Sequence, residues 1–158
     1  MRIIGIDPGT AILGFGVIDS IKGSQPVIVD AGVIRTPSDH SDGQRLQTIF
    51  NELTNIVAEN KPEIIVVEKL FFAQNVTTAM TVSQARGVVL LVGEQANLEL
   101  FEYTPLQIKQ ALTGYGHAEK KQIQEMVRVI LKLKEIPKPD DCADALAAAI
   151  MHSMITSS

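Results

Sequence analysis

The feature that most constrains the fold is the short run at residues 64–67, which contains only isoleucine and valine and leads into Glu68. Four consecutive apolar, β-branched residues predict a strand buried on both faces, as in parallel pairs that are covered by helices. A parallel neighbour needs a crossover connection. Residues 42–60 carry apolar side chains at helical spacing and predict that connection as an amphipathic helix. The chain is therefore predicted to be an α/β protein.

Four further strands are predicted around this one. Residues 2–6 form a β-branched run that is stopped by a Pro-Gly turn, and residues 14–19 and 27–36 extend it into an antiparallel meander. The strand at 64–67 pairs with the first strand on the side away from the meander, and a short strand at 101–104 follows. The predicted sheet is mixed and five-stranded, with the order 3-2-1-4-5.

Helices are predicted for residues 76–97, 105–112, 118–133 and 140–154. The helix predicted for residues 76–97 is too apolar for an ordinary surface helix. Either the face that does not pack on the sheet contacts another copy of the chain, or the helix is completely buried within one chain. The length of 158 residues predicts a single domain, residues 1–158. The N-terminus has no signal-peptide pattern or membrane span, which predicts a cytoplasmic protein. The single cysteine, Cys142, excludes an internal disulfide.

The charge distribution indicates whether the chain could bind a nucleic acid. The formal net charge is -4, which by itself disfavours nucleic acid. Residues 1–68 hold five basic and nine acidic side chains, whereas residues 69–158 hold nine of each. The basic groups are thus concentrated in the second half, and two divalent cations on a carboxylate site would cancel the formal excess. A DNA partner remains compatible with the composition.

Four acids supply the predicted chemistry. Asp7 and Glu68 end neighbouring strands at a topological switch point, where open α/β sheets bind ligands. Asp141 and Asp144 are three residues apart near the start of the last helix and therefore share one face. Four hard oxygen donors suit a pair of Mg²⁺ ions, with Mn²⁺ as an alternative, in the arrangement used to activate water and stabilise the leaving oxygen in phosphodiester hydrolysis.

Local explanations compete with this interpretation. Asp7 could hydrogen-bond within its Pro-Gly turn, Asp141 could be a helix-start acid, and Asp140 is best explained as an N-cap or first-turn acid that the helix dipole favours. Glu68 and Asp144 are harder to explain locally, because each stands among apolar residues, where an uncompensated carboxylate is costly.

The segment at 5–10 also resembles the phosphate loop of sugar kinases and actin-like ATPases, which keeps nucleotide binding open. That fold uses two such domains, and this chain has one copy of the segment.

The chain as a whole resembles the RuvC family of Holliday junction endonucleases, nearly from end to end. The resemblance depends on GIDPGT at 5–10, on Glu68 with Phe71 and the Ala73-x-Asn75 loop, on QARG at 84–87 and on DCADALA at 141–147. It implies a ribonuclease-H-like fold, a magnesium-dependent homodimer, symmetric nicking of a four-way junction, and the branch-migration proteins RuvA and RuvB as partners. Asp7, Glu68, Asp141 and Asp144 correspond to the family's four catalytic acids.

The resemblance also implies DNA-binding residues. Phe71 matches the aromatic used against unstacked bases, and stacking is worth about 1 to 3 kcal/mol per base. Lys109 and Lys120 match basic positions, and we expect three further cations on the same side to contact phosphates, namely Lys69, Arg86 and Lys121. Surface lysines often have no specific role, and one of the pair Phe71–Phe72 could belong to the core.

Some sequence features carry no assigned role or depart from the family. His117 and His152 have no partner motif and are predicted to be solvated or at the core edge, and His40 lies in a polar loop without a predicted role. The last residues, 154–158, lack the basic extension of many relatives. Two other functions stay open: a related nuclease acting on another branched or RNA substrate, and a non-catalytic DNA- or nucleotide-binding module.

Overall fold

The computed structural model of the chain describes residues 1–69 and 76–157. The strands are β1 (Arg2–Asp7), β2 (Ile12–Asp19), β3 (Val27–Arg35), β4 (Ile64–Glu68) and β5 (Glu99–Tyr103). The helices are α1 (Asp42–Asn60), α2 (Val76–Gln95), α3 (Pro105–Thr113), α4 (Lys120–Ile130) and α5 (Asp140–Thr156).

The five strands form one mixed sheet in the order β3-β2-β1-β4-β5. Strands β1, β2 and β3 pair antiparallel, whereas β4 lies parallel to β1 on one side and to β5 on the other. The predicted α/β class and strand order are confirmed. The crossover through α1 places the carboxyl ends of β1 and β4 at the same edge of the sheet, which we call the acid edge because Asp7 and Glu68 end there.

Alternate side chains of the central strands enter two separate cores, as the two-residue period of a strand requires. Ile3, Ile64 and Val66 pack on one face with α3, α4 and α5. Ile4, Ile6, Ile65 and Val67 pack on the other face with α1 and α2. The central strands are therefore covered on both faces, which explains why residues 64–67 carry no polar side chain.

Helix α5 lies directly against the sheet because three strand residues have no side chain. An added Cβ at Gly5 would overlap the backbone of Ala145, one at Gly14 the backbone of Asp141, and one at Gly16 the side chain of Leu146. These close approaches bury 11 of the 17 residues of the helix, including Cys142.

Helix α2 differs from α5 in how much of it is covered. Its inner face buries Ala85, Val89 and Val92, but Val76, Met80 and Leu91 are 77%, 61% and 49% exposed. By length and composition α2 could cross a membrane, although a single helix of this kind is weak evidence, and 28% of its most apolar window is buried. Complete burial of this segment within the chain, one of the two predicted alternatives, is wrong.

His152 also differs from expectation, since it is 2% exposed and lies in the core rather than at its edge. Its ring is 4.3 Å from that of Phe101, its Nδ1 pairs with the Tyr103 hydroxyl at 2.7 Å, and burial lowers its pKa. The sequence could not show this, because the covering strand β5 comes fifty residues earlier.

Candidate active site

The register of the parallel strands places Asp7 beside Glu68. Ile6 pairs with Val67, so the next residue of each strand leaves the sheet at the acid edge next to its counterpart. Both side chains are partly buried. The Asp7 carboxyl donates a hydrogen bond to the Glu68 carboxylate, which raises the pKa of Asp7 and offsets part of the rise that burial causes in the pKa of Glu68. The two predicted strand acids are thus in direct contact.

The other two acids reach the same edge from α5. The backbone of Asp141 packs against Gly14, and Asp7 pairs with Gly14 in the neighbouring strand, which brings the first turn of α5 over the end of β1. Asp144 follows one turn later, and its side chain is 27% exposed. The charges of Asp141 and Asp144 both act on Asp7. The structure therefore brings all four predicted acids together.

The crowding of these carboxylates changes their proton affinities. Burial, followed by the charges of Glu68, Asp144 and Asp141, raises the pKa of Asp7 from 3.8 to about 8. Burial also raises the pKa of Glu68, with a further contribution from Asp144. The pKa of Asp144 is raised mainly by burial and is lowered in part by Lys120. Such a cluster is stable as a set of anions only when cations neutralise it.

Lys120 supplies one of those cations. Its ammonium nitrogen lies 3.4 Å from Asp144 Oδ2 and 3.3 Å from Asp140 Oδ2. Gln124, one turn further along α4, donates to the other oxygen of Asp140 at 3.0 Å. Asp140 is the first residue of α5 after the N-cap Pro139, so it is a first-turn acid as expected, and its partners are side chains of α4.

A cavity of about 220 Å³ opens at this place between α3, α4 and α5. Two of the acids and two of the predicted DNA-binding lysines line it, with apolar residues behind them: Glu68, Asp144, Lys109, Lys120, Pro105, Ile108, Ile123 and Ala147. The cavity thus places positive groups within reach of an anion bound next to the carboxylates.

The donor set suits a hard divalent cation, since it consists of carboxylate oxygens without sulfur or imidazole. Within residues 1–69 and 76–157, however, no three His, Cys, Asp or Glu side chains already converge on one ion position. Asp7 is paired with Glu68, and Asp144 is paired with Lys120. The residues fit a metal chemically, and metal binding would require them to exchange these partners.

The remaining predicted DNA-binding residues have different settings. Lys69 is exposed directly after Glu68 and is anchored by its amide, which donates to the Tyr103 carbonyl. Lys121 lines a separate groove between α3 and α4, not the cavity of the acids. The Arg86 guanidinium is bound to Glu102. Phe71 lies outside the described residues.

Two cations near the acids were missed by the sequence analysis. Arg35 and Lys138 line an open groove together with Pro139, Asp140 and Asp141. The register of the predicted meander could have indicated Arg35, because Arg35 pairs with Ile12 at the acid edge. Nothing in the sequence distinguishes Lys138 from the other lysines of the segment before α5.

Comparison with known proteins agrees with this fold. The family model described as "Crossover junction endodeoxyribonuclease RuvC" matches residues 3–152. A protein of that name from Heliobacterium modesticaldum is 57% identical over 156 residues, which cover 98% of this chain and 96% of the relative.

Two solved structures extend the comparison. "T. thermophilus RuvC in complex with Holliday junction substrate" has a TM-score of 0.94 at 37% identity and covers 99% of this chain and 95% of that one. The yeast mitochondrial Holliday junction resolvase, at 16% identity with a TM-score of 0.66, covers 98% and 81% and shares the fold. With the matching strand order and the family model over nearly its whole length, the chain belongs to the RuvC family of crossover junction endodeoxyribonucleases.

Proposed function

We propose that this chain is a structure-selective endonuclease that resolves Holliday junctions in recombination and repair by nicking two opposed strands symmetrically. The observation that carries the proposal is the convergence of Asp7, Glu68, Asp141 and Asp144 at one edge of a sheet whose fold matches a RuvC bound to a Holliday junction substrate. The proposal places the protein in the cytoplasm and, on family membership alone, gives it RuvA and RuvB as partners.

In this proposal the four acids hold two divalent cations, with Mg²⁺ preferred and Mn²⁺ possible. When bound, the ions supply a nucleophile at neutral pH and stabilise the charge that develops on the phosphate and the leaving oxygen. Asp7 and Glu68 provide ligands that the sheet holds in place, and Asp144 provides one that must first leave Lys120. The raised pKa of Asp7 means that this carboxyl gives up its proton when it takes a metal.

In this proposal the lysines bind the DNA and take no part in breaking the phosphodiester bond. Lys109 and Lys120 line the cavity next to Glu68 and Asp144, where each can bind a phosphate beside the one that is cut. Phosphate contacts of this kind position the strand and contribute affinity without reading its sequence. We place Lys69 and Lys121 in more peripheral contacts with phosphates, and we keep for Phe71 the role of stacking on unstacked bases of the junction. Arg86 can join them only by sharing or leaving Glu102.

The experiment that tests the proposal uses a synthetic four-way junction and a matched linear duplex in Mg²⁺. The unaltered chain should nick the junction at symmetric positions and leave the duplex intact. Asp7→Asn should still bind the junction but cut it on the order of a hundredfold more slowly, because it removes one proposed metal ligand, and even the outer-shell partners of such ligands are worth about 10- to 100-fold.

Glu59→Gln is the matched control for that experiment, because it removes one exposed carboxylate from the end of α1, far from the acid edge. It should cut at the normal rate. The proposal fails if the unaltered chain does not nick the junction symmetrically, or if Asp7→Asn cuts as fast as the control.

We further propose that the chain acts as a homodimer through α2. The exposed side chains of Val76, Met80 and Leu91 leave one face of this helix uncovered, and a second copy related by a two-fold axis would cover it with the same residues. Two-fold symmetry also provides one site for each of the two cut strands.

Light scattering after size exclusion tests this oligomeric state. The unaltered chain should have about twice its mass of 17.2 kDa, and Met80→Glu should approach the monomer. Ile21→Glu, an equally drastic change at a 52% exposed residue of the β2–β3 turn, should leave the dimer intact. A monomeric unaltered chain, or a dimeric Met80→Glu chain, would contradict the proposed interface.

A further inference from the structure

The first turn of α5 lies between two openings. Asp144 faces the cavity that Lys109 and Lys120 line. Asp141 and Asp140 instead line the open groove whose other walls are Arg35, Lys138 and Pro139. Each opening thus has two cationic side chains and at least one of the four predicted acids in its lining.

The position of Arg35 follows from the sheet. Arg35 is the last residue of β3 and pairs with Ile12, and two residues further along β2 Gly14 packs beneath the backbone of Asp141. Arg35 therefore stands at the acid edge, two strands away from Asp7. Lys138 reaches the same groove from the segment that leads into α5.

Arg35 is also unusual in having no acceptor within the described residues. The other four arginines donate to protein groups: Arg2 to Asp19, Arg45 to the Thr36 hydroxyl, Arg86 to Glu102 and Arg128 to Glu125. No such contact within residues 1–69 and 76–157 is made by Arg35, or by Lys138, and both side chains are exposed. A guanidinium has five donors in a planar fork that matches a phosphate, and here all of them are available.

We propose that Arg35 and Lys138 bind backbone phosphates of the DNA strand on the Asp141 side of the scissile phosphate, opposite to Lys109 and Lys120. The inference rests on the proposed nuclease function. The DNA strand would then be held by two cations on each side of the scissile phosphate. These cations would offset the negative charge of the acids, which otherwise repels the DNA backbone.

The salt dependence of DNA binding tests this assignment. Binding of a labelled four-way junction and of a linear duplex is titrated at several salt concentrations, in an Asp7→Asn background so that cutting is slow compared with binding. Each lost phosphate contact should reduce the slope of log affinity against log salt by about 0.9. Arg35→Ala and Lys138→Ala should each show this loss, and the double variant about twice as much.

Two controls separate a phosphate contact from a general effect of charge or folding. Lys22→Ala removes one exposed positive charge in the β2–β3 turn, at the opposite edge of the sheet, and should leave the slope unchanged. Arg35→Lys retains the charge and should retain most of the slope. Melting temperatures should agree among all variants, because the altered side chains are exposed.

A footprint on the junction provides the local readout. The double variant should lose phosphate protection on one side of the cutting position and keep it on the other. The inference is overturned if the double variant has the slope and footprint of Lys22→Ala. If the Asp7-intact chain does not prefer or nick the junction, the proposed function fails instead, and the slopes measured on the duplex still decide the role of Arg35 and Lys138.

Discussion

The acids of the candidate site come in two pairs that are held in different ways. Asp7 and Glu68 end neighbouring parallel strands and share a hydrogen bond, so that each is fixed by the backbone ladder behind it. Asp141 and Asp144 stand on α5, whose place over the sheet depends on glycines at the contact, and Asp144 is bound to Lys120. The first pair is positioned by strand register, and the second by the close packing of α5 on the sheet.

This difference shows that acids gathered at one site can depend on two separate structural supports. A parallel register cannot shift by one residue without turning its apolar side chains to the wrong face, so the strand pair is strongly specified. A helix on a sheet can slide or lift when one contact changes. We therefore expect substitutions beneath α5 to disturb the site from a distance, whereas the strand pair should respond mainly to its own charges.

The largest expected effect comes from Gly14→Ala. The added methyl group would meet the backbone of Asp141, which cannot rotate away, so α5 must lift from the sheet. We expect a loss of about 1 to 3 kcal/mol in the free energy of unfolding, as for other overpacked cores. Junction cutting should fall on the order of a hundredfold, because a shift of about 1 Å in a catalytic group can cost that much.

Thermal melting and a nicking assay measure the two losses in the same Gly14→Ala preparation. Gly43→Ala is the control, since nothing lies within 4 Å of its added methyl group in the first turn of α1. It should keep the normal cutting rate. A Gly14→Ala chain with unchanged stability and rate would show that α5 does not depend on this contact.

A narrower effect, confined to stability, is expected from the strand pair when pH changes in the absence of metal. The pKa of Asp7 is raised from 3.8 to about 8 in the folded chain, so the folded state holds this proton more tightly than the unfolded state. The stabilisation of the folded state by this proton is complete below the pKa that Asp7 has in the unfolded chain, and it is lost as pH rises through about 8. In EDTA, the stability of the Asp7→Asn chain should not fall with pH for this reason.

The measurement is the difference in melting temperature between the unaltered chain and Asp7→Asn from pH 4 to pH 9. Taking the difference removes the contributions of groups common to both chains, such as the lowered pKa of Asp19 and of His152. Asp7→Asn should become progressively the more stable chain with rising pH, and Glu59→Gln should not. A constant difference would mean that Asp7 is not crowded by its neighbours.

The smallest effect concerns the helix pair and Lys120. Lys120→Ala removes the ammonium that contacts Asp144 at 3.4 Å. A divalent cation then no longer has to compete with this ammonium for the Asp144 carboxylate. Exposed ion pairs contribute about 0.2 to 1 kcal/mol, which corresponds to roughly 1.5- to 5-fold tighter Mn²⁺ binding without DNA. Calorimetric titration can detect this change. Exposed Lys134→Ala is the control, and weaker or equal Mn²⁺ binding by Lys120→Ala would contradict the idea of competition.

Much of the fold and part of the site could be predicted from the sequence because they depend on local patterns. The β-branched run at 64–67 and the helical spacing at 42–60 fix the parallel crossover, and the turns around the first three strands fix the meander. Given that order, Asp7 and Glu68 have to end adjacent strands. The spacing of Asp141 and Asp144 likewise places both on one side of α5.

Contacts between distant segments could not be predicted in this way. Three examples depend on which strand or helix lies nearby: the pairing of Arg86 with Glu102, the burial of His152 under β5, and the lack of a partner for Arg35 within residues 1–69 and 76–157. Single-residue patterns carry no signal for such neighbours. The exposed face of α2 is an intermediate case, since its apolar character was evident but its partner was not.

By itself, the sequence determined the strand order, the identity of the four acids and the family, because these depend on residue type and spacing along the chain. Only the tertiary structure decided that the acids form one charged cluster. Gly5, Gly14 and Gly16 allow α5 to approach the sheet, and Lys120 reaches Asp144 across the cavity. The physical reason is that close packing and charge interactions act between groups that meet only after the chain has folded.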